Sequence, residues 1–181
     1  MKIIKTEIPD VIIIEPDVFG DDRGFFYESY NKKQLEEEAG VRAGFVQDNH
    51  SRSSRGVLRG LHYQIKRPQG KLVRVCSGEV FDVAVDLRKS SATFGKWIGA
   101  RLSAENKRQM WLPPGFAHGF VVLSDVAEFL YKTTEYYAPE YERCIKWNDA
   151  SLNIGWQYED EPQVSEKDAQ GDSFIKAVVF E

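Results

Sequence analysis

Two histidines stand in glycine-rich surroundings, His62 in Gly56-Val-Leu-Arg-Gly-Leu-His-Tyr-Gln64 and His118 in Pro113-Pro-Gly-Phe-Ala-His-Gly119. An imidazole titrates near neutrality, so such a ring can accept or return a proton at physiological pH. A strand histidine is more often a satisfied structural residue, and His118 taken alone reads equally well that way. His62 is the stronger candidate, because Arg59, Gln64 and Lys71 lie at strand spacing around it. The two cysteines, Cys76 and Cys144, have no metal-type spacing between them.

The chain of 181 residues carries 24 Lys plus Arg against 28 Asp plus Glu, a net charge of −4, with 42% apolar and 29% charged residues. These values describe a soluble globular protein with enough chain for its own core. A mildly acidic chain is a poor general nucleic-acid binder, since backbone affinity comes from clustered Lys and Arg. Any anionic ligand must therefore meet locally placed cations. The amino-terminal run MKIIKTEIPDVIII is interrupted by Lys5, Glu7 and Asp10, and no stretch approaches membrane-spanning length. No membrane partner is expected, and two unpaired thiols without an export-type segment point to the cytoplasm.

Short strand-like runs must position the candidate residues. Val11–Ile14 is β-branched, and Arg23–Tyr30 follows an Asp-Asp-Arg-Gly turn. Leu72–Val75 and Val80–Leu87 flank Ser77-Gly78, which reads as a hairpin turn. In the second run Phe81, Val83, Val85 and Leu87 alternate with Asp82, Ala84 and Asp86, giving one apolar face and one face with two carboxylates, either pocket-facing or solvated. Further strands are expected at Trp97–Leu102, Gln109–Leu112, Gly119–Leu123, Glu128–Thr133 and Glu142–Lys146. Residues 31–40 read as one helix with Asn31 as N-cap, Gly40 as stop and a solvated Glu36–Glu38 face. Ser165 caps a short helical turn in a polar carboxyl-terminal stretch. One mainly β domain over 1–181, a sandwich, jelly roll or barrel with a short helical and irregular tail, follows from this pattern.

Both histidine strings resemble the paired motifs of cupins, small β-barrels that often hold a metal. The metal-binding version reads His-x-His followed by a Glu ahead of a Gly. Here Gln64 takes the second His position and Lys71 the Glu position, counted back from Gly78. An ammonium cannot ligate a divalent cation and an amide is a poor substitute for imidazole, so no metal and no cofactor is expected. Lys71 instead suits an anion formed during reaction, such as an enolate oxygen, leaving His62 free to act as base.

More specific strings occur in order along the chain: Phe19-Gly-Asp-Asp-Arg-Gly-Phe-Phe-Tyr-Glu28, Phe45-Val-Gln-Asp-Asn-His-Ser51, the His62 string, Gln69-Gly-Lys-Leu-Val-Arg-Val75, Gly78-Glu-Val-Phe-Asp-Val-Ala-Val-Asp-Leu-Arg88 and Pro114-Gly-Phe-Ala-His-Gly-Phe120. Together they resemble the dTDP-4-dehydrorhamnose 3,5-epimerases, a family of dimeric, metal-independent jelly-roll enzymes. The resemblance runs from the first strand to about Asp168. It implies inversion at C3 and C5 of a dTDP-4-dehydro-6-deoxy-glucose, with His62 as base, Asp168 as its paired carboxylate, Tyr131 as proton donor and Lys71 for the enolate. On their own, Tyr131 reads as one more sheet aromatic and Asp168 as a cap or surface acid. The resemblance also implies substrate contacts from Arg23, Phe26, Glu28, Gln47, Asn49, Arg59, His118, Glu142 and Lys167, and thymine stacking by Tyr137. It further implies a homodimer that exchanges amino-terminal strands, bringing Arg23 and Phe26 to the partner's site. Three other readings remain open here: a relative inverting only C3 or only C5, a nucleotide-sugar binding module without turnover, and a metal-dependent cupin.

Overall fold

A computed structural model describes residues 1–181. In chain order the first strands are β1 (Lys2–Lys5), β2 (Ile12–Glu15), β3 (Phe19–Asp21) and β4 (Gly24–Phe26), followed by helix α1 (Lys32–Glu38). Then come β5 (Gln47–Ser54), β6 (Leu58–Gln64), β7 (Lys71–Ser77), β8 (Glu79–Asp86) and β9 (Trp97–Ser103). The series ends with β10 (Gln109–Leu112), β11 (Phe116–Val122), β12 (Val126–Thr133), β13 (Glu142–Cys144) and a one-turn helix α2 (Glu166–Ala169). Two antiparallel sheets face each other, one ordered β1-β2-β10-β7-β12-β5 and the other β13-β6-β11-β8-β9, while β3 and β4 form a separate hairpin. This is the jelly-roll architecture expected from the many short strands.

The space between the sheets is filled by Val73, Val75, Val80, Leu102, Met110, Leu112, Phe116, Phe120 and Phe129, all buried. The outer face of the five-stranded sheet is apolar as well. Leu58, Leu61, Tyr63, Phe81, Val83 and Val85 pack there under Ile145, Leu152 and Trp156 of the carboxyl-terminal segment. Helix α1 buries Leu35 on the outside of the six-stranded sheet, against Ile12, Ile14, Leu72 and Trp111. Asn31 caps it by accepting a hydrogen bond from the Gln34 amide at 3.2 Å.

Two local expectations need correction, and one left open is decided. Ser77-Gly78 is not a hairpin turn: β7 pairs with β10 and β12, whereas β8 pairs with β11 and β9, so the chain crosses from one sheet to the other there. Gly78 allows the crossing, with φ +75° and the Val126 carbonyl oxygen 2.0 Å from where a Cβ would sit. Of the two alternatives left open for the carboxylate face of β8, the structure rules out the solvated one, because every residue from Val80 to Asp86 is buried. Only Gly24–Phe26 of the 23–30 run is strand. Three further strands lack a sequence signal, β1, β3 and the polar β5, the last with Gln47, Asn49, Ser51 and Ser53 facing inward although the segment has no apolar alternation.

The decisive irregularity lies in β6. Residues Arg59 and His62 are an odd number apart, so a regular strand would aim them at opposite faces. Opposite Gly119 the register of β6 on β11 slips, with Phe120 facing Arg59 and His118 facing His62. The extra residue is a β-bulge, and it turns both Arg59 and His62 into the barrel. Gly60 makes it possible, with φ +132° and the Gly119 Cα only 2.5 Å from where a Cβ would lie. Gly60→Ala is therefore expected to destabilise the fold by roughly 2–4 kcal/mol, measured as a lower midpoint of urea unfolding. Gly44→Ala, which meets nothing within 4 Å, is the control and should leave the midpoint near wild type.

Candidate active site

The tail builds one wall of the site. The Leu58 amide donates to the Gln163 carbonyl at 2.9 Å, and the Leu61 and Ile145 backbones bond each other at 3.1 and 3.0 Å. These ties hold α2 against the β6 bulge, and Ser165 caps α2 by accepting from the Asp168 amide at 3.1 Å. Asp168 thereby lies buried beside His62, its Oδ1 2.6 Å from Nε2 of the ring, while its Oδ2 accepts from the Gly60 amide at 3.3 Å. Burial pushes this carboxyl upward, but the bonds from His62, Gly60 and Ser165 outweigh it and hold Asp168 below the usual carboxylate range. An ionised Asp168 fixes the imidazole tautomer and stabilises the imidazolium. With Nε2 so engaged, Nδ1 is the free nitrogen, and the side chain is 27% exposed toward the barrel mouth. Cys144, paired opposite His62 on β13, lies behind the carboxylate with Sγ 3.9 Å from Oδ1. Burial, followed by the charge of Asp168, pushes its thiol up to about 12.

The facing sheet supplies the other wall. Lys71 and Gln47 both stand opposite Thr133, and Asn49 stands opposite Tyr131, so alternation brings Lys71, Tyr131, Gln47 and Asn49 to the inner surface. Lys71 Nζ lies 5.8 Å from the Tyr131 ring centroid. Burial lowers the Lys71 ammonium to about 8, against the opposing pull of Asp82 and Glu142. Burial and Glu142 raise the Tyr131 phenol, with Arg59 acting the other way, so it stays a protonated donor at neutral pH. Arg59 is steadied by Ser53, which accepts from Nε at 3.1 Å.

Beneath these groups is a second buried pair. His118 Nε2 lies 2.9 Å from Asp82 Oδ2, and its ring stacks on Phe129 at 5.9 Å between centroids. Burial pushes the Asp82 carboxyl up and the His118 imidazole down, and Lys71 is the nearby cation that favours an ionised Asp82. At the rim Glu142 accepts from Tyr137 Oη at 2.7 Å and from Lys167 Nζ. Those two bonds outweigh burial and keep Glu142 below its ordinary range. Gln47 joins the rim, accepting from the Tyr137 amide at 3.0 Å and donating to Asn49 at 2.9 Å.

His62, Lys71, Tyr131, Asp168, Gln47, Asn49, Arg59, His118, Glu142 and Lys167 thus converge on one end of the barrel. Arg23, Phe26 and Glu28 do not join them within the chain. The β3–β4 hairpin stands out from the body, with Arg23 paired to Asp21 and Phe26 68% exposed. Glu28 accepts from Asn31 on the outer side of the six-stranded sheet. Gln64 serves the framework of the loop beside it. Its amide donates to the Arg67 and Tyr136 carbonyls at 2.8 and 3.3 Å and accepts from the Ala138 amide at 2.8 Å. Asp82 was legible only as an ambiguous acid in an apolar run, and nothing in the local sequence marked Ser53. Asp86 serves the opposite end, where Arg88, Ser91 and Thr93 hold it ionised, at about 2, despite burial.

Comparison with known proteins places the chain among relatives of one family. The profile of the dTDP-4-dehydrorhamnose 3,5-epimerases matches residues 5–176. A dTDP-4-dehydrorhamnose 3,5-epimerase of Pseudomonas aeruginosa is 68% identical over 180 residues, covering 99% of both chains. A Legionella pneumophila dTDP-6-deoxy-D-glucose-3,5-epimerase, solved in complex with dTDP-4-keto-L-rhamnose, superposes with a TM-score of 0.94 at 56% identity, over 97% of this chain and 93% of that one. A 3'-monoepimerase from Streptomyces bikiniensis in complex with dTDP-quinovose superposes with a TM-score of 0.88 at 31% identity, over 94% and 87% of the two chains. The chain belongs to the dTDP-4-dehydrorhamnose 3,5-epimerase family.

Proposed function

We propose that the protein is a dTDP-4-dehydrorhamnose 3,5-epimerase, inverting C3 and C5 of dTDP-4-dehydro-6-deoxy-D-glucose to give dTDP-4-dehydro-L-rhamnose. The observation that carries this reading is the placement of a histidine–aspartate pair on one wall of the barrel and a phenol and an ammonium on the other. The ketone at C4 makes the hydrogens on C3 and C5 acidic. In the gluco chair those hydrogens lie on the same face of the ring, so one base reaches both.

At each carbon Nδ1 of His62 takes the proton, and the C–H electrons move into the carbonyl to form an enolate. Lys71 stabilises the charge on oxygen in a poorly solvated site, where a fixed cation acts most strongly. Tyr131 delivers its hydroxyl proton to the opposite face, and solvent restores both groups. Asp168 holds His62 in the tautomer that leaves Nδ1 open and stabilises the imidazolium. Arg59 and Lys167 are the nearby cations for the pyrophosphate, with Arg well shaped for bidentate contact. His118, Gln47, Asn49 and Glu142 complete the sugar contacts. The protruding hairpin, with its exposed Phe19, Phe25 and Phe26, fits exchange in a homodimer, where Arg23 and Phe26 of one protomer complete the site of its partner. The greater identity to double epimerases than to the monoepimerase favours inversion at both carbons.

Incubation with substrate in deuterated water, with a coupled reductase to trap product, tests the assignment directly. The double epimerase labels C3 and C5 and gives the rhamnose configuration. Label and inversion at one carbon would replace it with a monoepimerase, and no label in protein that binds the nucleotide would leave a binding module. His62→Ala should lose about a thousandfold in kcat with an unchanged circular dichroism spectrum. Tyr131→Phe should still exchange deuterium but return it to the same face, so label appears without inversion.

The lowered Lys71 ammonium sets the alkaline behaviour. Its charge is present below about pH 8 and lost above it, so kcat should fall as pH rises through that value. In Lys71→Arg, whose guanidinium does not deprotonate, the limb should vanish whatever the absolute rate; an unchanged limb would remove Lys71 from the enolate role. Stability runs the other way. The folded state binds the proton less tightly than the unfolded chain, so stability rises between about 8 and 10.5.

A further inference from the structure

The proposed proton transfer makes no use of Cys144, although it is half-buried against the catalytic pair. One donor atom each from His62, Cys144 and Asp168 lies within 4.8 Å of the others. We propose that these three residues form a capture site for a thiophilic divalent cation, zinc above all, which arrests the enzyme by taking the base.

Imidazole nitrogen, thiolate sulfur and carboxylate oxygen are the donor set that zinc prefers, at bond lengths of about 2.0–2.3 Å. At those bond lengths tetrahedral donors sit roughly 3.3–3.6 Å apart, and the three donor atoms here lie within 4.8 Å of one another. A neutral ring, a thiolate and a carboxylate together balance the two positive charges of the ion. The surroundings hold the donors in place, as outer partners do in metal sites. The Gly60 amide fixes the second oxygen of Asp168 at 3.3 Å. Gly171 backs Cys144 so closely that a Cβ there would be 3.1 Å from Sγ. The site is separate from the cupin cage, whose second histidine position is Gln64, occupied by its three backbone bonds.

The proton balance explains the arrest. Binding drives the Cys144 S–H proton into solvent, and the proton on Nε2 of a neutral His62 ring moves to Nδ1. That nitrogen then has no lone pair for substrate, and one proton is released per ion bound. Lys167, whose charge acts on Cys144, opposes the incoming cation, which suits reversible capture and not a structural site. The arrest rests on the role given to His62 above, whereas the binding does not.

Cobalt(II) titration of the substrate-free protein separates the two, in a Cys76→Ser background that removes the exposed thiol. The expected result is a thiolate-to-cobalt charge-transfer band that saturates at one equivalent, is displaced by zinc and is absent after Cys144→Ala. Zinc should inhibit turnover reversibly, chelator restoring it. Cys144→Ala and Cys144→Ser, each scaled to its own uninhibited rate, should need roughly tenfold more zinc or higher. Cobalt bound without a thiolate band, or equal zinc sensitivity in both variants, would overturn the site. A thiolate band without loss of turnover would overturn the arrest, while the role of His62 as base stays with the His62→Ala measurement.

Discussion

A carboxylate kept ionised at 3% exposure is the constraint on which the rest of the site depends. Burial alone would drive Asp168 toward its neutral form, and a neutral acid would neither orient His62 nor stabilise its cation. Three partners answer the cost: the imidazole, the Gly60 amide and the cap at Ser165. Each has its own structural requirement. The amide points at the carboxylate because β6 bulges at Gly60, and the bulge exists because no side chain stands between Gly60 and Gly119. The cap is in place because the tail is tied to β6 through Gln163 and Ile145.

The division of labour between the sheets follows from the same burial. The interior is packed with Phe116, Phe120, Phe129 and branched aliphatics, and the mouth above them is lined by ionisable groups in low dielectric. There the charges hold one another in check. Lys71 faces Asp82 and Glu142, and Glu142 answers Lys167. Such a site exchanges solvent reorganisation for fixed charges, which is what an enolate requires. The residues at two cage positions of the cupin-like frame take other parts here: Lys71 is a buried ammonium, and Gln64 turns its amide to holding the 135–138 loop.

Asp82 and Asp86 show how one strand serves two ends. Both are fully buried on β8, yet Asp86 is held by Arg88, Ser91 and Thr93 in the closing loop, while Asp82 meets only His118 by hydrogen bond. The first is a structural knot held ionised by its partners, and the second is a buried carboxyl that burial pushes up, paired with His118 beneath the site. An alternation of acids along a strand has the same appearance in both cases.

Much of this was legible in the sequence. The strand-rich pattern, the helix with its Asn31 cap, the Ser165 cap and the ordered motifs around His62, Lys71 and His118 depend on local backbone preference and residue chemistry, which short segments carry with them. Tertiary structure alone decided the partners. The turn at Ser77-Gly78 has hairpin chemistry but joins two sheets, because the neighbours of β7 and β8 come from distant segments. Strand β5 carries no apolar stripe because its inner face lines a polar site. Arg59 and His62 share a face only through a bulge set by Gly119, nearly 60 residues away, and Asp168 reaches His62 across a sequence separation of 106. Periodicity reports which side chains share a face of one regular element; it contains no information on which elements meet, or where a strand breaks its own period to bring them together.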